Sequence, residues 1–287
     1  MLVHKLNRGF THPLGPNIHP AFHPRLIPFL LLFTLLLVGT ADVRGQTEKS
    51  LLNTPEAKYY LVNQHLDHYQ IANKNQIYND QGLIYTSPPG FEIRSFDLIS
   101  DQGSMLLGIL MDNGKTCLLA IYEETPKTTL LIKNMTSYQP WKIQFAEVDG
   151  DGKIEVCLGV FKESPLHPVL AKRLFIYNFD HDLRPKWRGS RLSKPLVDFF
   201  FFTNHKQETY LISTEITRDN QQCLNAYFWD QFGFTGFGDP YTLAAGQTLS
   251  EGYLKANNKL THRLLLIKDE QVEGKIPEKL WGGIVDE

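Results

Sequence analysis

The stretch Phe96-Asp-Leu-Ile-Ser-Asp-Gln-Gly103 aligns with Phe145-Ala-Glu-Val-Asp-Gly-Asp-Gly152, about 50 residues later, and each is followed by an apolar run ending Gly-Ile or Gly-Val. A third copy begins at Val197-Asp-Phe-Phe-Phe-Phe202, passes the polar turn 203–208 and re-enters at Tyr210-Leu-Ile-Ser213. A fourth covers Leu243 to Ile267. A repeat of this length is one supersecondary unit that buries its faces against copies of itself. The copies are built from short runs of Ile, Leu, Val, Phe and Tyr. Turn clusters at 79–82, 87–90, 112–114 and 180–182 separate them, which is an all-β texture.

Several short antiparallel strands per repeat suit a propeller blade. The expected fold is therefore an all-β, β-propeller-like array of four-stranded blades, about four to five repeats, with a β-sandwich as the alternative. The apolar runs 105–111, 156–161 and 210–213 are expected on equivalent inner or central strands. Lys172 to Phe179 and Leu183 to Leu192 are expected to pair as a hairpin whose far side begins the next blade. Phe232-Gly-Phe-Thr-Gly-Phe-Gly238 lacks both a lysine and a strand-to-helix setting, so it reads as a blade linker and not as a nucleotide loop.

Only one copy keeps a full set of carboxylates, in Glu147-Val-Asp-Gly-Asp-Gly-Lys-Ile-Glu155. Acids at alternate positions converge when the backbone curls, and Gly152 allows the sharp turn. Hard oxygen donors select calcium or magnesium over zinc or copper. An EF-hand would need a bidentate Glu at the twelfth position, where this chain has Leu158, and the flanking runs are β-branched and aromatic; the loop therefore joins strands. In that setting it resembles the loop of FG-GAP and VCBS repeats, the strand-loop-strand units of integrin α-chain propellers, whose usual pattern is Asp-x-Asp-x-Asp-Gly-x-x-Asp. This copy places Glu at the first and last positions. The stretch from Trp141 to Phe202 also resembles exported bacterial repeat proteins. The resemblance implies one calcium held by Glu147, Asp149 and Asp151, with the Lys153 carbonyl filling the next position and Glu155 closing the site.

The first 45 residues carry Lys5, Arg8 and Arg25, no acid before Asp42, and the run Leu26-Ile-Pro-Phe-Leu-Leu-Leu-Phe-Thr-Leu-Leu-Leu-Val38. They read as a signal peptide, with cleavage after Ala41 or Gly45, or as an uncleaved signal anchor, and this is the one expected link to a membrane. The bulk of the chain is then extracytoplasmic: secreted, periplasmic or at the cell surface. Residues 46–75 are expected to form a short helical or irregular lead-in, because Thr54-Pro55-Glu56 supplies an N-cap, a first-turn proline and an early acid. Residues 76–287 form the repeat domain.

A net charge of −2 provides no basic field for nucleic acid. Cys117, Cys157 and Cys223 each sit in an apolar run without zinc-site spacing and read as buried small hydrophobes. Lys186, Trp187, Arg188 and Arg191 read as a solvated hairpin edge, and Asp180-His-Asp182 as a turn. No nucleophile elbow, supported acid pair or zinc motif is present. The functional expectation is an exported non-enzymatic binding or structural module for an unknown protein or glycan ligand; the alternative is a glycan-active or other hydrolytic propeller.

Overall fold

The computed structural model describes residues 49–62, 65–123, 128–165, 167–189, 192–256, 259–269, 271–276 and 281. The leader expected over 1–45 lies outside them, as does Arg191. Among the described residues no helix is long and apolar enough to cross a membrane.

Strand β1 (Lys49–Leu52) leads into β2 (Ala57–Val62), β3 (His65–Ala72), β4 (Gln76–Asn79) and β5 (Gly82–Thr86). The next quartet is β6 (Glu92–Asp101), β7 (Ser104–Asp112), β8 (Cys117–Glu123) and β9 (Thr128–Asn134), followed by β10 (Lys142–Ala146), β11 (Glu155–Ser164), β12 (His167–Asn178) and β13 (Pro185–Arg188). Then come β14 (Leu196–Thr203), β15 (Thr209–Ile216), β16 (Gln222–Asp230) and β17 (Gly233–Thr242), and last β18 (Gln247–Ala256), β19 (Lys259–Lys268) and β20 (Gln271–Lys275). The quartets β2–β5, β6–β9, β10–β13 and β14–β17 are four antiparallel meanders. In the fifth sheet the order is β1-β18-β19-β20, so the first of the described strands completes the last blade, from Lys49 opposite Lys255 to Leu52 opposite Gly252. The protein is a five-bladed β-propeller closed by its own N-terminal strand.

The second strands of the second, third and fourth blades carry continuous apolar runs because both faces of the blade are covered there. On β7, Leu106 and Leu110 pack toward the third blade, whereas Leu107, Ile109 and Met111 pack toward the first. On β11, Val156, Leu158 and Val160 face the second blade and Cys157 the fourth. On β15, Leu211 faces the third blade, and Tyr210 and Ile212 the fifth. These are the runs expected on equivalent inner strands. An alternating half-buried pattern would have signalled a sheet with one wet face. Fourth strands are wetter, and β13 has no buried residue. Gly108 on β7 is where the third blade comes closest: a Cβ there would lie 2.6 Å from Ile143 Cδ1 and 2.7 Å from Phe145 Cζ. All three cysteines are free and buried, and burial pushes the Cys157 thiol well above its ordinary range.

The first strands lie against one another around the axis and are stitched by side chain to backbone bonds that advance one blade at a time. Asn53 Oδ1, just after β1, accepts the Tyr59 N–H at 2.7 Å, and Tyr60 Oη accepts the Leu98 N–H at 3.1 Å. Asp97 Oδ2 accepts the Phe145 N–H at 2.7 Å, and Gln144 exchanges two bonds with the Phe201 backbone at 2.9 and 3.0 Å. Each bond satisfies an inner-edge group that no neighbouring strand of its own sheet can reach.

Three expectations are corrected. The lead-in helix is absent among the described residues, and strands β1, β2 and β3 occupy most of that segment, so the repeat domain begins well before residue 76. The Thr54 cap bond does form, with Thr54 Oγ1 accepting the Ala57 N–H at 3.0 Å, but it closes a turn into β2. Pairing of β2 with β3 and the Lys58–Asp97 contact decide the conformation there, which local propensity cannot anticipate. The hairpin strand β13 ends the third blade and does not begin the fourth, and the Gly-Phe stretch forms the turn and β17, the outer strand of the fourth blade.

Candidate metal loop and the adjoining cleft

The third-blade loop connects β10 to β11, the first to the second strand. The equivalent loops of the first, second and fourth blades emerge at the same end of the ring, because those sheets share its strand order. Val148 is buried and anchors the loop, while Gly150 and Gly152 take φ of 77° and 76°, the left-handed region where a side chain is strained. Glu147 Oε1 accepts the Gly150 N–H at 2.5 Å and Asp151 Oδ1 accepts the Lys153 N–H at 2.9 Å. These bonds curl the backbone so that Glu147, Asp149 and Asp151 each offer an oxygen, all within 4.8 Å of one another. The Lys153 N–H also holds the Asp151 carboxyl below the usual carboxylate range.

Glu155 does not join this trio. It is buried at the start of β11, its Oε2 accepting the Val148 N–H at 2.8 Å and its Oε1 lying 2.7 Å from Lys186 Nζ. Lys186 reaches in from β13, with Nζ 2.5 Å from Asp149 Oδ2 and 3.9 Å from Asp151 Oδ2. Its side chain is only 13% exposed, so it is an internal counter-ion and not the solvated edge that its basic-aromatic neighbourhood suggests. Burial works against the ammonium, yet its bonds to Asp149 and Glu155 outweigh that and hold its pKa above the ordinary lysine value. Burial pushes the Glu155 carboxyl up, against the pull of Lys186 and the Val148 N–H. Trp187 turns the other way and packs edge-on against Phe234, 5.1 Å between centroids. The turn at Asp180 is local: its Oδ1 accepts the Asp182 and Arg184 N–H groups, both at 3.1 Å.

Sequence reasoning placed Lys186 on a solvated hairpin edge and missed its tie to Glu155, 31 residues earlier.

The residues fit a hard cation in part. Asp149 Oδ1 is buried and has no hydrogen-bond partner, although its sister oxygen is paired with Lys186. An unpaired buried carboxylate oxygen is costly, and a cation beside it would remove that cost. Three all-oxygen donors match calcium or magnesium. Beside the loop lies a cleft of about 430 Å³, bounded by Glu147 and Asp149 on one wall and by residues of β15, β16 and β17 on the other.

No protein-family profile matches the chain, and no curated protein matches it. A solved structure titled "Structure of Dos1 propeller" is similar over 72% of this chain and 56% of that one, at 13% identity and a TM-score of 0.40. The chain thus spans little more than half the length of that structure. The five-bladed ring stands on its own sheet order and on the β1–β18 pairing.

Proposed function

We propose that the chain is an exported, non-enzymatic binding or structural module, a five-bladed ring whose third-blade loop takes calcium through Glu147, Asp149 and Asp151. The observation that carries the metal reading is the buried, unpartnered Asp149 Oδ1, on a residue that offers a carboxylate oxygen within 4.8 Å of ones from Glu147 and Asp151. Calcium would supply the positive charge that Lys186, committed to Glu155 and to one Asp149 oxygen, leaves wanting. Within this reading Glu155, paired with Lys186 and the Val148 N–H, does not close the site as the FG-GAP likeness implies. The Lys153 carbonyl remains the candidate for the intermediate position. The export reading draws support from the basic start and leucine-rich run of the first 45 residues. The binding role draws support from a rigid ring that gathers equivalent loops at one end.

Thermal unfolding of the full-length protein in calcium, in magnesium and in chelator tests the metal reading. At calcium 100 times its dissociation constant the expected gain is about 2.7 kcal/mol, a rise of several degrees. Magnesium should give less, and Asp149→Ala should remove the difference. Equal melting temperatures in calcium and chelator would leave the loop as a turn pinned by Lys186.

A further inference from the structure

We infer that the cleft beside the acidic loop binds an organic cation, a methylated ammonium group carried by a small molecule or by a side chain of another protein. The inference rests on the binding-module reading and names its ligand class. Two independent features of the walls point to it. The first is charge: Glu147, Asp149 and Glu208 line the cleft, and no Lys, Arg or His does. Glu208 Oε2 accepts bonds from Asn204 Nδ2 at 2.9 Å and from the Tyr210 hydroxyl at 3.2 Å, which fixes the carboxylate in place and favours its ionised form.

The second feature is aromatic. Tyr210, Phe228, Trp229 and Phe237 line the same cleft. Their rings brace one another: Tyr210 and Phe237 lie 5.3 Å apart between centroids, and Phe237 meets Phe228 edge-on at 6.5 Å. Trp229 is held edge-on against Phe234 at 5.2 Å, outside the cleft. Aromatic faces carry negative potential, and a quaternary ammonium loses little hydration on entering such a site, so rings and carboxylates attract the same class of guest. An anionic ligand would meet Glu147 and Glu208 with no cation among the lining residues. A neutral sugar would gain from the rings but would leave the charge unanswered.

Titration calorimetry of the full-length protein in chelator, with choline and its neutral isostere 3,3-dimethylbutan-1-ol, tests this. Choline should bind roughly ten-fold more tightly than the isostere, the size expected for a partly desolvated cation–π and ionic contact. Glu208→Gln should weaken choline several-fold with an unchanged melting temperature, and Trp229→Phe should weaken it while retaining an aromatic filler if the alanine variant does not fold. Added calcium should weaken choline, because Glu147 and Asp149 would already be engaged. Equal affinity for choline and the isostere, binding of neither at millimolar concentration, or binding of a neutral monosaccharide in preference to choline overturns the inference. A calcium-dependent melting shift without choline selectivity would sink the inference and leave the metal reading standing. Choline selectivity without a calcium effect would do the reverse.

Discussion

Asp97 on β6 accepts the backbone N–H of Phe145 on β10 at 2.7 Å, so a carboxylate of the second blade fills a hydrogen-bonding vacancy on the third. Its other oxygen takes Lys58 Nζ and the Tyr60 hydroxyl from the first blade, both at 2.6 Å. One side chain thereby joins three consecutive blades beside the axis.

Asp97→Ala should therefore be among the most damaging single substitutions. It leaves the Lys58 ammonium, the Tyr60 hydroxyl and the Phe145 N–H without their acceptor in a site where the Asp97 side chain is only 8% exposed. The expected cost is about 3 kcal/mol, measured as a lower urea midpoint. Asp97→Asn, which keeps one acceptor, should cost less.

Gly252→Ala should open the ring. A Cβ at that position would sit 2.4 Å from the Leu51 carbonyl oxygen, a backbone atom of the closing strand that cannot swing aside as a side chain does. We expect a loss of about 2 kcal/mol. Amide exchange should be faster in β1 and β18 while β7 and β11 keep their protection.

Lys186→Met removes the internal counter-ion. Glu155 is then buried without its cation, so stability at neutral pH should fall by about 3 kcal/mol. A carboxyl whose folded pKa lies above its unfolded value contributes stability that is complete at low pH and lost as pH rises through the folded value. The variant should recover part of the loss on acidification, a trend read from melting temperatures across the range. Calcium should protect this variant more than the parent, since Glu155 becomes available to the loop.

The ring also carries an acid-sensitive contact with the opposite sign. Glu251 Oε1 lies 2.9 Å from His262 Nε2, and the His262 ring packs against both Phe202 and Tyr253, each with centroids 5.0 Å away. Burial alone would raise the Glu251 carboxyl, but His262, then Lys58 and Lys142, bring it below the ordinary value of 4.5. Its contribution is present above 4.5 and fades as pH falls through the lower folded value. Glu251→Gln should lower stability at neutral pH and flatten its decline in that acid window.

The second, third and fourth blades were legible because their first two strands keep apolar runs around a polar turn, and the continuous apolar character of β7 and β11 marks strands covered on both faces. The first blade was not. Its β2 carries Lys58 and Tyr60 to meet Asp97, so its inner residues look polar until that partner, 39 positions away, is known. In the loop, alternation fixed which three acids converge, a matter of local backbone geometry. The fate of Glu155 depended on Lys186 from the far edge of the same sheet, and the aromatic wall of the cleft on strands of the next blade. Neither has a local signal.

Strand β1 has an implication for the timing of folding. In synthesis from the N-terminus it is among the first structured segments made, whereas β18, its sheet partner, is among the last. Through that interval four blades can stack while Lys49-Ser-Leu-Leu52 waits with an unpaired backbone edge. The nascent protein is thus an open arc that stays threadable until β18 arrives, and closure of the ring waits on that strand.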